Sequence, residues 1–378
     1  MAKLERVKFM KTICYLADGS NPHTVKWCDY FKNKGFNIHV ISLNGGKIDG
    51  VTVHDFSSNV EELRNESAFK KTGYIKNVKK IKELVHEIKP DILHAQYASS
   101  YGFIGSLLAY HPYIISVWGT DIYDFPNNGP IQKQIIKHNF RKADYIFSNS
   151  IDMAKEANKY TKKHVDVTFF GVDMERFKPM EVEKEDAFVI GIVKSLEKKY
   201  GIEYLLKAFK LLKEENLDRK ILLKIGGSGK ELDNLLNLTK ELGLEEDVEF
   251  LGRISPENVA KTFCSFDVTV FPSLREGFGV AAIESQSCEV PVIVTNVGGH
   301  PESLDNNKTG FIVEPKQPEE IKDAIMKFIN DEDLRVKMGK EGRKFVRENY
   351  EVNLNFNDIA KIYNNILRKS NKCVEIMV

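Results

Sequence analysis

The chain reads as an α/β protein made of two doubly wound, Rossmann-like domains facing a cleft. Three observations predict this. Short β-rich apolar runs alternate with helical stretches along most of the 378 residues, the pattern of parallel strands with helices on both faces. The rhythm breaks at a polar, Pro179-containing segment near 176 to 186 and then restarts. A chain of this length is long enough for two domains of ordinary size.

Taken in order, "KTICYLA" is a strand, "HTVKWCDYFKNKG" a helix and "NIHVISL" the next strand. "DILHAQ" follows a Pro stop, "YIISVW" is another strand, and "ADYIFSNS" closes a unit before a helix at 151 to 160. After the break, "KEDAFVIGIVKS", "ILLKIGG", "VEFLG", "VTVFPS", "PVIVTN" and "GFIVEP" supply a second set of strands. The expected division is 1 to 175, 176 to 355, and a terminal helix in 356 to 378 packing back on the first domain. In such sheets ligands lie beyond the carboxyl ends of the strands, so the cleft is the expected site.

Bulk properties narrow the function classes. The composition is that of a soluble globular protein, 42% hydrophobic and 29% charged. No stretch approaches the ~18 consecutive apolar residues of a membrane span. The N-terminus has no apolar signal core, so a cytoplasmic protein is expected. Strand-like sequence begins at Met10, and the nine residues before it read as an extension or a late-counted start. Cys14, Cys28, Cys264, Cys288 and Cys373 have no paired spacing, which reads as reduced and without metal. Net charge is +1, yet residues 1 to 178 carry +7 and the remainder −6. Such asymmetry marks a face for an anionic partner. "KKTGYIKNVKKIKELVHEIKP" concentrates it. There Ile75, Val78, Ile81, Val85 and Ile88 form a helical apolar stripe with Lys76, Lys79, Lys80 and Lys82 beside it. A core-packed helix with a solvated Lys face and a membrane- or acceptor-binding helix both fit this pattern.

Three segments carry candidate chemistry. "SLREGFGVAAIESQ" places a Gly-rich turn at a strand end and then opens a helix, with Glu276 in the turn and Glu284 in the helix. Glycines let backbone approach a ligand, the helix start offers amides and a positive dipole, and carboxylates accept bonds from sugar hydroxyls. Spacing alone is weak evidence, since Glu175 with Glu183 and Glu241 with Glu249 match it. "NVGGHPESLD" is a strand end whose Gly298 and Gly299 can present amides to a phosphate or sugar, or form a plain turn before Pro301. "GIVKSLEKKYGIEYLLKAF" aims Lys194, Lys198 and Lys199 at a strand terminus, where lysine suits phosphate oxygens; a solvated loop is the plainer reading.

As a set, "GVDMERFKP", "KYGIEYLLKAF", "VEFLGRIS", "REGFGVAAIES" and "VGGHPE…TGFIV" resemble, in order, the retaining nucleotide-sugar glycosyltransferases of the GT-B fold, glycosyltransferase family 4. The likeness is dense over roughly 165 to 345. It is looser in the first half, where "SNPHTVKWCDYFKNKGFNIHVISL", "PDILHAQYA" and "WGTDI" are similar to that family's acceptor domain. The resemblance implies that Glu276 contacts the donor sugar and Glu284 holds the ribose. It implies that Lys194, where the family usually has Arg, and Lys199 neutralise the diphosphate. Backbone at Phe278, Gly279 and Val280 would face sugar and phosphate. Arg253 and Ile254 would lie near the base, and Gly19 and Ser20 would close over the diphosphate. The implied reaction retains anomeric configuration and moves a sugar from a nucleoside diphosphate, UDP being the commoner carrier, to a hydroxyl acceptor. Glycan, glycolipid or polysaccharide synthesis at the inner face of the cell membrane is the expected setting. The donor is a co-substrate; no cofactor, metal or nucleic-acid partner is expected, because lysines can replace a metal at the diphosphate.

Two departures stand out. The family's His-Gly-Ser/Thr-Asp is Trp118-Gly119-Thr120-Asp121 here, so either backbone acts near the reacting carbon or His23, His94 or Asp121 contributes. The family's Glu-Ala-Met-Ala-x-Gly is "ESQSCE", with Glu289 where the turn has its Gly. Four rival readings compete with this one. "GGSGKE" fails as a P-loop, with Lys224 at the first Gly and Glu231 at Ser/Thr. "GFGVAA" fits a dinucleotide turn, but Asn296 stands where an acid is expected. A nucleotide-sugar epimerase of the same fold and a non-catalytic sugar-nucleotide-binding subunit stay open.

Overall fold

The computed structural model describes residues 10–57, 72–215 and 217–369. Residues 1–9 and Cys373, both subjects of sequence expectations, lie outside the described residues. The chain divides into one unit of Met1–Thr168 with Phe356–Val378 and a second of Phe169–Asn355.

The first unit holds strands β1 (Thr12–Leu16), β2 (Asn37–Ser42), β3 (Thr52–Asp55), β4 (Ile92–Gln96), β5 (Tyr113–Val117), β6 (Tyr145–Ser148) and β7 (Val165–Val167). They form one parallel sheet in the order β3-β2-β1-β4-β5-β6-β7. β4 and β5 are buried at every position, as expected of central parallel strands covered on both faces. The helix Thr72–Ile88 buries Ile81 and Val85 and leaves Lys79, Lys80 and Lys82 exposed. Its apolar stripe therefore packs on the core cluster. The side chains of Ile75 and Lys76 lie outside those described. From Phe356 on, the last helix, Val352–Lys369, joins this unit. Phe356 meets Trp27 edge-on at 5.4 Å, and Tyr363 stacks on Phe31 at 4.8 Å. Large aromatics dominate core energetics in this way, each contributing ~1.5–3 kcal/mol when fully buried.

The second unit holds β8 (Phe188–Val193), β9 (Ile221–Gly226), β10 (Val248–Gly252), β11 (Val268–Phe271), β12 (Val292–Thr295) and β13 (Gly310–Val313). They too form a parallel sheet, ordered β10-β9-β8-β11-β12-β13. Between them run helices such as Ile202–Glu214, whose Ile202, Leu205, Leu206, Phe209 and Leu212 recur at helical spacing and are buried. The unit boundary at Thr168/Phe169 precedes the expected one at 175/176. The physical reason is local. Phe169 packs on Phe278 and Tyr350, and Val172 exchanges backbone bonds with Tyr350 and Val352. Among the described residues no helix is long and apolar enough to cross a membrane.

Candidate functional site

Strand order in the second sheet reverses between β8 and β11, and ligands of open α/β sheets bind beyond the carboxyl ends at such a switch point. Lys194 directly follows β8, and the loop 272–279 directly follows β11. Topology thus places the two candidate loops side by side.

Backbone contacts tie these loops together. The carbonyl of Lys199 accepts from the amides of Leu274 at 2.8 Å and Arg275 at 3.2 Å. Gly201, at φ +61°, passes so close that a Cβ there would sit 2.2 Å from the carbonyl oxygen of Pro272; a side chain has neither the space nor the conformation. Thr295 Oγ1, at the end of β12, donates to the carbonyl of Ser273 at 2.6 Å. The loop is therefore held from both neighbouring strands.

At the centre, Lys194 Nζ donates to Glu276 Oε2 at 2.6 Å, with both side chains nearly buried at 14% and 12% exposure. Oε1 of Glu276 accepts from the Gly277 amide at 3.2 Å. Burial by itself would push both groups toward their neutral forms. For Glu276 it is outweighed by Lys194, with His300 adding, so the carboxyl titrates below its ordinary range. For Lys194 it is outweighed by Glu276, then Tyr200 and Glu284, so the ammonium titrates above its ordinary range. The pair stays charged at neutral pH: a carboxylate that only accepts and an ammonium that only donates.

Tyr200 lies between the basic residues. Lys194 Nζ is 4.4 Å and Lys199 Nζ 5.0 Å from its ring centroid. Its ring thus draws the two cations together. Glu284 is half-buried in the helix Val280–Ser287, within electrostatic reach of Lys194. Gly279 caps that helix in the left-handed region at φ +98°. A Cβ there would lie 2.6 Å from Cδ2 of His300. Val280 opens the first turn, while the Phe278 side chain is buried against Phe169 and Tyr350. Arg253 and Ile254 follow β10; Arg253 is exposed, and Ile254 approaches Gly226 at the end of β9.

The sequence alone does not single out His300. It is buried, and its Nδ1 has no hydrogen-bond partner among the described residues. Burial first, then Lys194, pulls its pKa down to about 4 against the opposing pull of Glu276. The available signal was its place in "VGGHPE", one strand away from the switch point. The same turn places Gly298 at φ +52°, exposed. The amide of Gly299 donates to the carbonyl of Glu276 at 3.3 Å. Gly299 therefore braces the loop that carries Glu276, instead of presenting its amide outward as expected.

In the first unit several expectations need correction. His94 is fully buried, with Nδ1 2.5 Å from the Tyr363 hydroxyl and Nε2 2.7 Å from Ser116 Oγ. Burial pulls its pKa down to about 3. It is a neutral core residue in an all-buried strand, not a group near a reacting carbon. Asp121 is likewise fully buried, and its carboxylate accepts from the amides of Ala98, Trp118 and Gly119. It positions the Trp118–Thr120 backbone and has no face for a substrate. Burial raises its pKa, against the pull of those amides. Trp118 packs edge-on to His23 at 6.1 Å. The Gly19 amide donates to Ser42 Oγ and the Ser20 amide to Asp18 Oδ1. Both expected phosphate donors are thus satisfied within the fold.

The departures from the family pattern also have structural consequences. Ser285 Oγ lies 2.7 Å from Thr269 Oγ1, and Gln286 Nε2 donates to the Ser303 carbonyl at 2.7 Å. Polar bonds therefore fasten the back of the helix Val280–Ser287 to β11 and to the turn that holds His300. Glu289 takes φ +63°, the left-handed conformation for which glycine is the ordinary choice.

Residues 173–345 match the family described as glycosyl transferases group 1, and residues 12–150 match glycosyl transferase 4-like. Among curated proteins, the chain is 36% identical over 185 residues to the capsular polysaccharide biosynthesis glycosyltransferase CapM of Staphylococcus aureus, covering 49% of this chain and 48% of that one. The matched segment thus spans about half the length of CapM. The chain is 26% identical over 304 residues to N-acetyl-alpha-D-glucosaminyl L-malate synthase of Bacillus anthracis, covering 76% and 78%. Among solved structures, sucrose-phosphate synthase of Thermosynechococcus elongatus superposes with a TM-score of 0.83 at 17% identity, over 95% of this chain and all of that one. HepE of Anabaena, solved with UDP-glucose, gives 0.76 at 17% identity over 93% and 98%.

Proposed function

We propose, from the premise that the chain belongs to the group 1 glycosyltransferases and has the GT-B fold, that it transfers a sugar from a UDP-sugar to a hydroxyl acceptor with retention and without a metal. The observation that carries this reading is the nearly buried Lys194–Glu276 pair at the switch point of the second sheet. UDP is favoured because HepE, of the same fold, was solved with UDP-glucose.

In this reading the bond from the anomeric carbon to the diphosphate oxygen breaks as the acceptor oxygen bonds to that carbon on the same face. The departing phosphate oxygen takes the acceptor's proton. Negative charge grows on the diphosphate, and Lys194 and Lys199, drawn together over Tyr200, stand where it develops. The first-turn amides beyond Gly279 add donors there. The Glu276 carboxylate, held ionised, accepts from hydroxyls of the donor sugar, and Glu284 accepts from the ribose. Such a placed cationic pair does the work a divalent ion does in metal-dependent transferases.

For the acceptor we propose a glycan or lipid-linked hydroxyl used in cell-surface glycan, glycolipid or polysaccharide synthesis. Peripheral contact of the basic first half with the inner face of the cell membrane fits that setting. The test is a thermal-shift panel of UDP, GDP, ADP, NAD and their sugar conjugates in a chelating buffer. A ligand that binds only the folded state raises the melting temperature. A shift with UDP and one UDP-sugar is expected; a shift with NAD alone overturns the reading.

A further inference from the structure

The first unit carries a surface that the transfer chemistry leaves unused. The helix Pro130–Lys142 buries Ile136, Asn139 and Phe140. It presents Ile131 and Ile135 on another side, beside Phe103 and Leu107 of the helix Ser100–Leu108. Together these four line an apolar concavity of about 500 Å³. Ile131 is 70% exposed and Leu107 41%.

Directly adjoining it, and sharing Gln134 and His138, is a second groove of about 710 Å³. Lys137, Arg141, Lys159 and Lys162 line it, and no carboxylate does among the described residues. The stretch 129–165 holds eight Lys and Arg against three Asp and Glu. Of these three acids, Glu156 pairs with Lys159 at 2.5 Å, Asp152 accepts from Tyr123, and Asp144 faces His111. The groove is built, since Lys163 Nζ donates to the Arg141 carbonyl at 2.9 Å and Arg141 reaches His138 at 3.1 Å.

We propose that this face docks the first unit on an anionic phospholipid bilayer. Ile131, Leu107, Phe103 and Ile135 enter the headgroup region, and Lys137, Arg141, Lys159 and Lys162 rest on lipid phosphates. Charge complementarity and the adjacent apolar wedge argue for a bilayer, which presents a sheet of anions directly above an apolar layer. The long basic side chains can lie along the interface with their charges in the phosphate plane. This relocates the membrane contact from the lysine face of the helix Thr72–Ile88, whose described apolar residues Val78, Ile81, Val85 and Ile88 are taken up by the core. The inference deepens the proposed setting of the acceptor, and it rests on that reading only for its purpose.

The experiment is flotation of the full chain, without donor or acceptor, with vesicles of phosphatidylcholine alone or containing phosphatidylglycerol. Wild type is expected on the anionic vesicles only, with binding that weakens as salt rises. Lys137→Glu with Arg141→Glu, and separately Ile131→Ser with Leu107→Ser, are each expected to weaken binding at least about tenfold. Lys79→Glu with Lys80→Glu should leave it unchanged. Melting temperature and the UDP-induced thermal shift are recorded for every variant. A preserved UDP shift without vesicle binding overturns this proposal and leaves the transferase reading standing. Vesicle binding without a UDP shift does the reverse. Binding indifferent to the Ile131 and Leu107 changes overturns the face assigned. A concentration-dependent dimer abolished by Ile131→Ser assigns the face to a second copy, which also overturns it.

Discussion

Lys194 and Glu276, 82 residues apart in sequence, meet at 2.6 Å across the ends of β8 and β11. Each is nearly buried and each keeps the other ionised. Most of the predicted chemistry depends on that contact.

Glu276→Gln keeps the size of the side chain and removes its charge. It is expected to lower sugar transfer from a UDP-sugar by about 10²–10³-fold while UDP affinity changes little. Steady-state rates with direct UDP titration check this. Equal loss of rate and UDP affinity would mean that Glu276 acts by holding Lys194 for the diphosphate, not by contacting the sugar.

Gly279→Ala forces a side chain into the left-handed region and against His300. A loss of about 1–3 kcal/mol in urea stability is expected, together with weaker UDP binding, because the helix start shifts. His300→Ala in the same chain should return part of the stability by removing the clash and leave the backbone strain. A Gly279→Ala protein as stable as wild type would contradict the packing described.

His94→Ala tests whether this ring is structural. It leaves the Tyr363 and Ser116 hydroxyls without their buried partner and opens a cavity, so about 2–4 kcal/mol of stability is expected to be lost. The UDP-induced thermal shift should persist. Loss of activity with unchanged stability would restore His94 as a catalytic group.

Acid lability follows from the buried histidines. His300 and His94 titrate at about 4 and about 3 in the folded chain, below their ordinary 6.5. Below 6.5 the unfolded chain binds protons that the folded one does not. The stability they contribute is therefore present above 6.5 and lost as pH falls toward those values, by up to ~3 kcal/mol for His300. Glu276, also depressed, adds a loss at lower pH through the same sign. Urea midpoints from pH 7 to 4 should fall, and His300→Gln should flatten part of that slope. An unchanged slope would mean that His300 is not buried as a neutral ring.

Much of the fold was legible because the parallel strands are continuous β-rich runs. The turn around Glu276 was legible because strand, Gly-rich turn and helix follow one another without a break. Lys194 was visible as the first polar residue after β8. Three features were not legible, for one physical reason: each depends on what lies across space. The His94 ring looks free in "DILHAQ" until β4 is seen buried on both faces. The Asp121 carboxylate resembles a reagent until three backbone amides fill it. The importance of His300 emerges only when β12 is placed beside β11, bringing the ring against Gly279. The unit boundary moved for the same reason, since Phe169 and Val172 are claimed by Tyr350 from the far end of the second unit.

The most direct measurement is calorimetric titration of UDP into wild type and Lys194→Ala in metal-free buffer. Binding to wild type, weakened at least about tenfold by the loss of one charge-assisted contact to the diphosphate, is the result predicted. Equal affinity in the two proteins would contradict the placement of the donor diphosphate at Lys194.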